Sequence, residues 1–163
     1  MHRTGLRPTR WQRRLLLSVA TLLLASGAGW LALHYLAGAG AGELPHPAEP
    51  WLMRLHGAGA FVALFAAGLM GGHHVPSAWR IAHRPRQAAQ RRSGLLLCGL
   101  FALVAASGYA LYYFAPEALR PALGWAHAAA ALVMTTAGAW HGLHRSRGRA
   151  GTGAGTRANL HGL

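Results

Sequence analysis

The sequence contains no lysine and no aspartate, so its excess of positive charge comes from arginine alone. Sixteen basic residues face only three acidic ones, which gives a formal net charge of +13 at pH 7. Such a charge is often found in nucleic-acid-binding proteins. Here, however, all the arginines except Arg54 lie outside four long apolar runs, which a nucleic-acid binder rarely carries. We therefore expect no nucleic-acid partner.

Cysteine is also nearly absent, and the single Cys98 lies inside an apolar run. This excludes a disulfide framework and a zinc site built from cysteines. The three glutamates (Glu43, Glu49 and Glu117) are not paired in the sequence, and no glycine-rich phosphate-binding loop is present. We find no internal repeat. With 163 residues the chain has room for one domain, and no catalytic constellation is visible in it.

What the sequence does contain is apolar runs, at 15–36, 51–72, 94–114 and 122–140. Each is close to the ~20 residues that a helix needs to cross ~30 Å of hydrocarbon. Backbone groups in lipid must be satisfied within their own segment, so these runs are expected to be helices. The first run exceeds the ~7–15 apolar residues of a signal peptide, and we expect it to remain as a span. The predicted fold class is all-α, an integral membrane four-helix bundle.

The arginines predict the orientation of this bundle. Only Arg54 and Arg120 fall on one side of the expected membrane, and the other arginines all fall on the opposite side. By the positive-inside rule both termini are cytoplasmic. The Gly, Ala and Arg bias is typical of a high-GC bacterium, which indicates the bacterial inner membrane. The predicted organisation is a cytoplasmic segment 1–14, a multi-pass membrane domain 15–144 and a basic flexible tail 145–163.

Eleven histidines are the anomaly in this composition. His56 and His127 each lie five residues into the second and fourth runs, near the expected outer face. His74 and His141 lie at the inner ends of the same two runs. At ~100° per residue, the two histidines of each run fall on nearly the same helix face. The pattern predicts one imidazole per helix at each of two depths.

Paired imidazoles on facing helices are what haem iron accepts as axial ligands. The outer pair is His56 with His127, and Arg54 beside it is a candidate partner for a haem propionate. Small residues flank these histidines and would allow close approach. Ionisable residues inside a membrane point to function by default. The sequence therefore predicts one haem b at the outer pair and leaves a second haem open.

The ligands of that second haem have two possible assignments. His74 and His141 lie on nearly the same helix faces as His56 and His127, which favours this pair as ligands. His73 and His144 are each 17 residues from the outer histidine of their own helix, and this equal spacing favours the other pair. His34 is a further alternative ligand near the outer face.

Two haem-free alternatives remain. Outer-face histidines could bind a transition metal, because imidazole suits copper, zinc and nickel. Four of them are candidates: His34, His46, His56 and His127. In the second alternative, the chain is a structural or assembly subunit, and its histidines are interfacial polar residues at the ends of the membrane spans.

The chain resembles the bacterial cytochrome b561-like group, which includes the cytochrome b subunits of formate dehydrogenase and nickel hydrogenase. It looks still closer to small four-span proteobacterial proteins of this type. The fourth helix of that family carries two haem-ligating histidines fourteen residues apart, a spacing that His127 and His141 match, and His56 matches its outer ligand on the second helix. The resemblance implies electron transfer between a quinone and a partner protein in the membrane or periplasm. The chain would then be an electron carrier or a subunit rather than a complete enzyme.

One departure concerns the inner haem. The family takes one ligand of this haem from near the start of the first helix, where this chain has "PTRWQRRLLL" and no histidine. His74 or His73 would have to replace that ligand, giving a two-plus-two pattern like that of cytochrome b in respiratory bc complexes.

Overall fold

The structure is a computed structural model that describes residues 9–81 and 88–158, with side chains described over 9–71 and 92–141. Within these ranges it consists of helices, with no β-strand, which confirms the predicted all-α class. The long helices are, in chain order, α1 (Arg10–Ala37), α2 (Glu49–Ile81), α3 (Ala88–Tyr113) and α4 (Arg120–Ala158). A short 3₁₀ turn, Ala39–Ala41, follows α1.

Each long helix contains a segment that is long and apolar enough to cross a membrane. These segments are Arg10–Ala41, Glu49–Gly71, Arg92–Tyr113 and Arg120–His141, and they overlap all four predicted spans. No more than 11% of each apolar window is buried within the protein. Large apolar side chains therefore point outward, as a lipid environment requires and water would disfavour. These features indicate a multi-pass membrane protein.

The chain divides into two units, Met1–Arg84 and Pro85–Leu163. In the first unit α1 packs against α2, and in the second α3 packs against α4. We call these pairs the first hairpin and the second hairpin. Each is built from helices that neighbour one another in the sequence, and each is described below by itself.

The first hairpin begins with a capping box at the start of α1. The Thr9 hydroxyl accepts from the backbone N–H of Gln12 at 3.4 Å, and the Gln12 side-chain oxygen accepts from the Thr9 N–H at 2.8 Å. This arrangement satisfies N–H groups that the first turn of a helix leaves without a helical acceptor. It explains why α1 begins at Arg10, five residues before the predicted span.

A second cap forms where the first hairpin turns into α2. His46 accepts from the Ala48 N–H through Nδ1 at 3.2 Å, and a Glu49 carboxylate oxygen accepts from the His46 N–H at 3.0 Å. The other oxygen of Glu49 lies 3.1 Å from Nδ1 of His34, in the last turn of α1. Glu49 is only 7% exposed. Its carboxylate therefore ties the start of α2 to the end of α1.

The second hairpin turns more tightly. The backbone N–H groups of Phe114 and Ala115 both donate to the carbonyl of Ala110, at 2.8 and 2.9 Å, and close the end of α3. The Arg120 guanidinium donates to the Ala115 carbonyl at 3.3 Å. Pro121 lies in the first turn of α4, where its missing N–H costs no hydrogen bond.

α4 continues through Ala158, well past the predicted fourth span. It includes most of the segment 145–163 that the composition predicts to be a flexible tail. Arg157 lies in the last turn of α4, where positive charge interacts favourably with the helix dipole.

Candidate functional site

His56 of α2 is held by a turn of α1 within the first hairpin. Its Nδ1 lies 3.1 Å from the hydroxyl oxygen of Ser26 and 3.1 Å from the carbonyl oxygen of Leu23. A Cβ built on Gly27 would come within 3.2 Å of the imidazole Cε1. The ring therefore packs against a position where a larger residue would crowd it, and its Nδ1 edge is fixed by α1.

These contacts assign the tautomer of His56. A carbonyl oxygen can only accept, so Nδ1 must carry the proton that it donates to Leu23. The Ser26 hydroxyl donates to the carbonyl of Leu22 at 2.7 Å and can accept from the same Nδ1–H. In the neutral ring the basic lone pair is therefore on Nε2. This is the arrangement in which a histidine coordinates a metal through Nε2, with its other nitrogen held by a second residue.

His127 of α4 is held in the same way by α3 of the second hairpin. The hydroxyl oxygen of Ser107 lies 2.8 Å from Nδ1 of His127 and donates to the carbonyl of Val104 at 3.0 Å. A hydroxyl has one proton: when Ser107 gives it to the Val104 carbonyl, Nδ1 of His127 is the donor in the Ser107–His127 bond, and when Ser107 gives it to Nδ1, that nitrogen accepts. A Cβ on Gly108 would lie 3.2 Å from Cε1 of His127.

His141 has a serine partner too. Its Nδ1 lies 2.9 Å from the hydroxyl oxygen of Ser93, one helix away in the same hairpin. Ser93 and Ser107 are fourteen residues apart on α3, as are His141 and His127 on α4. Because α3 and α4 are antiparallel, the two serines reach the two histidines in reverse order. The second hairpin therefore carries two serine–histidine bonds at two heights along its axis.

The two hairpins repeat one local motif. In both, a serine–glycine pair on the earlier helix, Ser26–Gly27 or Ser107–Gly108, contacts a histidine of the later helix through Nδ1 and Cε1. We call this contact the Ser-Gly/His clasp. His56 and His127 are the two histidines so held, and the sequence singles out the same two as the outer pair. The structure thus shows a shared environment for them within their own hairpins.

Arg54 does not contact a carboxylate within the described side chains. Its guanidinium carbon lies 4.7 Å from the centre of the Trp51 ring, a cation–π contact near the start of α2. Trp51 is 64% exposed, so this pair lies on the surface of the hairpin. The suggested role of Arg54 toward a propionate stays a prediction.

His34 belongs to a different group from the clasped histidines. Its ring stacks on Trp30 with centroids 4.6 Å apart and meets the edge of Tyr35, while its Nδ1 faces Glu49. Together with the capping role of His46, these contacts give both residues a structural place at the turn of the first hairpin. Among the described side chains no group of three or more His, Cys, Asp or Glu residues could hold a metal ion.

The remaining histidine predictions concern side chains that are not described. His73 and His74 lie in the helical part of α2, and His144 lies in α4, but their side chains fall outside the described ranges. The pairing of His74 with His141, and the alternative of His73 with His144, therefore stay predictions.

The sequence reasoning missed the serines. Histidine spacing alone selected His56, His127 and His141, and it gave no reason to examine the earlier helix of each pair. The available signal was the spacing of the "SG" dipeptides: two of them on α3 repeat the fourteen-residue interval of the histidines on α4. A comparison of the chain with models of known protein families, with curated proteins and with solved structures gives no match.

Proposed function

We propose that the chain is a b-type cytochrome-like electron carrier of a bacterial inner membrane, with His56 and His127 as the axial ligands of one haem b. The observation that carries the proposal is the Ser-Gly/His clasp in both hairpins. It holds Nδ1 of each imidazole against the earlier helix, and at His56, where Nδ1 donates to the Leu23 carbonyl, Nε2 is the basic nitrogen that low-spin haem iron would bind. The histidine spacing in α4, shared with the cytochrome b561-like group, supports the same assignment.

The glycine of each clasp helps to position the imidazole. Gly27 and Gly108 allow the imidazole to lie close against the neighbouring helix, where a Cβ would meet Cε1 at 3.2 Å. The ring is thus positioned by backbone and hydroxyl together rather than by one flexible contact. Bound haem would supply reversible one-electron transfer, and the chain's own residues hold and orient its iron ligands.

Within the proposed function the second hairpin contributes His141 to a second, inner iron. The Ser93–His141 bond gives this imidazole the same kind of Nδ1 anchor as His127. The natural electron donor would be a membrane quinol and the acceptor a redox partner protein, as in the cytochrome b561-like group. The protein would then be a carrier or subunit, with both termini in the cytoplasm.

The absorption spectrum of the purified, detergent-solubilised chain tests this function. A sharp low-spin band on reduction with dithionite is expected, and His56→Ala or His127→Ala should each remove the same haem. His46→Asn is the matched control, because the amide can still cap α2 while the imidazole is lost. A colourless wild-type protein would overturn the proposal. Bound copper, zinc or nickel would then favour a metal handler, and a metal-free protein would favour a structural subunit.

Reporter fusions test the orientation. A reporter after Leu163 or near Ala88 should be cytoplasmic, and one near Gly40 should be periplasmic, because fourteen of the 16 arginines lie on the predicted inner side. A periplasmic reporter at Leu163 would reverse the assignment of outer and inner histidines.

A further inference from the structure

Four aromatic side chains form one exposed cluster at the end of α3 in the second hairpin. Their ring centroids lie 4.8 Å apart for Tyr112 and Tyr113, 4.7 Å for Tyr113 and Tyr109, and 5.8 Å for Tyr109 and Phe114. Each of these side chains is at least 59% exposed. We call this surface the aromatic cluster. Because its rings contact one another and stay open to the surroundings, it is a contiguous surface for a partner outside the hairpin.

The aromatic cluster lies where two segments of membrane-spanning length meet their turn. One segment ends at Tyr113, and the next begins at Arg120. At the ends of such segments a bilayer changes from hydrocarbon to headgroups, and tyrosine is enriched there because its ring is apolar and its hydroxyl is polar. Among the described side chains, no hydrogen bond reaches the hydroxyls of the three tyrosines in the cluster. This leaves their hydroxyls to water and headgroups.

The turn of the second hairpin holds an arginine beside this cluster. The Arg120 guanidinium donates to the Ala115 carbonyl at 3.3 Å, and the N–H of Ala115 donates to the Ala110 carbonyl of α3. Phe114, the chain neighbour of Ala115, belongs to the aromatic cluster. Within the described ranges Arg120 forms no ion pair. Guanidinium carries several N–H donors in a planar fork that matches phosphate, so the remaining donors of Arg120 suit an anion.

We propose that the aromatic cluster and Arg120 together bind the headgroup of an anionic phospholipid. The rings fit the layer between hydrocarbon and headgroup, while the tyrosine hydroxyls and the guanidinium donate to phosphate oxygens. A lipid is the occupant because the surface coincides with the ends of two apolar segments. The inference depends on the membrane-spanning helices and on no cofactor, so it can fail or hold independently of the proposed function.

The two turns use their acids differently. In the first hairpin the buried carboxylate of Glu49 faces His34, whose ring stacks on Trp30. In the second, Glu117 is exposed, lies three residues before Arg120 and makes no ion pair with it among the described side chains. Its negative charge therefore opposes a phosphate that approaches Arg120. The second turn thus contains one residue that favours an anionic headgroup and one that disfavours it.

Lipid binding to the full-length protein in detergent tests these opposite roles. Phosphatidylglycerol is the probe, and native mass spectrometry gives the apparent Kd of the first bound lipid. We expect Arg120→Gln to weaken binding about tenfold, because the amide can donate to Ala115 but carries no charge. Glu117→Gln should strengthen binding, because it removes a negative charge near the phosphate. Arg92→Gln is the matched control, since Arg92 begins the other end of the α3 segment, away from the aromatic cluster.

Glu117→Gln keeps the Arg120–Ala115 contact, so it tests the charge even where Arg120→Gln disturbs the turn. An unchanged Kd in both variants would overturn the inference. An equal loss of affinity in Arg92→Gln would also overturn it, because it would mean that any arginine at a span end binds the lipid.

Solid-state NMR in vesicles of phosphatidylglycerol and phosphatidylcholine locates the headgroup directly. The chain has four tyrosines, three of them in the aromatic cluster, so isotope-labelled tyrosine reports on this surface. Tyr109→Phe, Tyr112→Phe and Tyr113→Phe assign the signals. We expect these signals to be dephased by lipid phosphorus, and less so in Arg120→Gln. Signals that phosphorus does not dephase would overturn the inference, and dephasing by a differently labelled copy of the chain instead would assign the surface to self-association.

Discussion

The two hairpins hold a histidine in the same way but join their helices differently. The first hairpin connects α1 to α2 through residues 38–48 and closes this connection with the Glu49 carboxylate, whereas the second turns within 114–119 through backbone hydrogen bonds. Among the described side chains, the first has one serine–histidine bond and the second has two. The clasp is the feature that both hairpins share, and it is the feature that bears on the candidate function. The two connections differ because each only needs to close a turn.

The largest expected effect tests whether the clasp needs its glycine in both hairpins. Gly27→Leu and Gly108→Leu should each abolish binding of the outer haem, because the new side chain meets an imidazole that a Cβ alone already approaches to 3.2 Å. Overpacking of this kind also lowers the free energy of unfolding by about 1–3 kcal/mol. Haem content and thermal unfolding in detergent are the measurements.

Gly99→Leu is the control for this pair, because a Cβ at Gly99 meets no atom within 4 Å. It should leave haem content unchanged. If Gly27→Leu binds haem normally while Gly108→Leu does not, the two clasps are not equivalent and the comparison between the hairpins fails.

The next effect should distinguish the two connections. Glu49→Ala removes the acceptor for the His46 N–H and the partner of His34, and hydrogen bonds to charged groups contribute about 1.5–3 kcal/mol each. We expect the free energy of unfolding to fall by about 2 kcal/mol, measured by thermal or denaturant unfolding in detergent. Glu117→Ala, in the exposed turn of the second hairpin, should change it by less than about 0.5 kcal/mol. Equal losses would mean that the Glu49 contacts do not close the first hairpin.

The smallest effect concerns the serines. Ser107→Ala removes an acceptor 2.8 Å from His127, and Ser26→Ala removes one 3.1 Å from His56, which keeps the Leu23 carbonyl. Loss of one such bond lowers the free energy of unfolding by about 1 kcal/mol. We expect a shift in the potential of the outer haem that is larger for Ser107→Ala, read by redox titration, and a change in the Nδ1 nitrogen resonance of the apoprotein. Ser→Thr at either position keeps the hydroxyl and should restore most of both signals. An unchanged resonance in Ser107→Ala would exclude the serine as the group that fixes the tautomer.

The helices were predictable from the sequence because lipid imposes a length and a composition on a span. The run at 94–114 lies within one turn of the apolar segment Arg92–Tyr113 at both ends. The start of α1 was less well placed, although the Thr9 and Gln12 pair is a readable capping signal. α4 continues to Ala158 through a glycine-rich segment that the composition predicts to be flexible.

The candidate site was predictable only in its histidines. Spacing along one helix places imidazoles on a face, but it does not say which neighbouring helix that face meets. The partners of His56 and His127 depend on the register between adjacent helices, which is set by packing at positions such as Gly59 and Leu23. Once the register is known, Ser26 and Ser107 are identified as the partners of the two histidines; from the sequence alone they are ordinary residues of apolar spans.

The clasp has a consequence for how the protein is made. Ser26 and His56 are 30 residues apart, and Ser107 and His127 are 20 apart, so each imidazole finds its hydroxyl in the helix synthesised just before it. A lone polar side chain is costly in hydrocarbon. Each helix pair can therefore leave the ribosome and enter the bilayer with these polar groups already matched, and contacts so close in sequence form fast. During biogenesis, the clasps would let each half of the chain insert into the membrane before the other half is made.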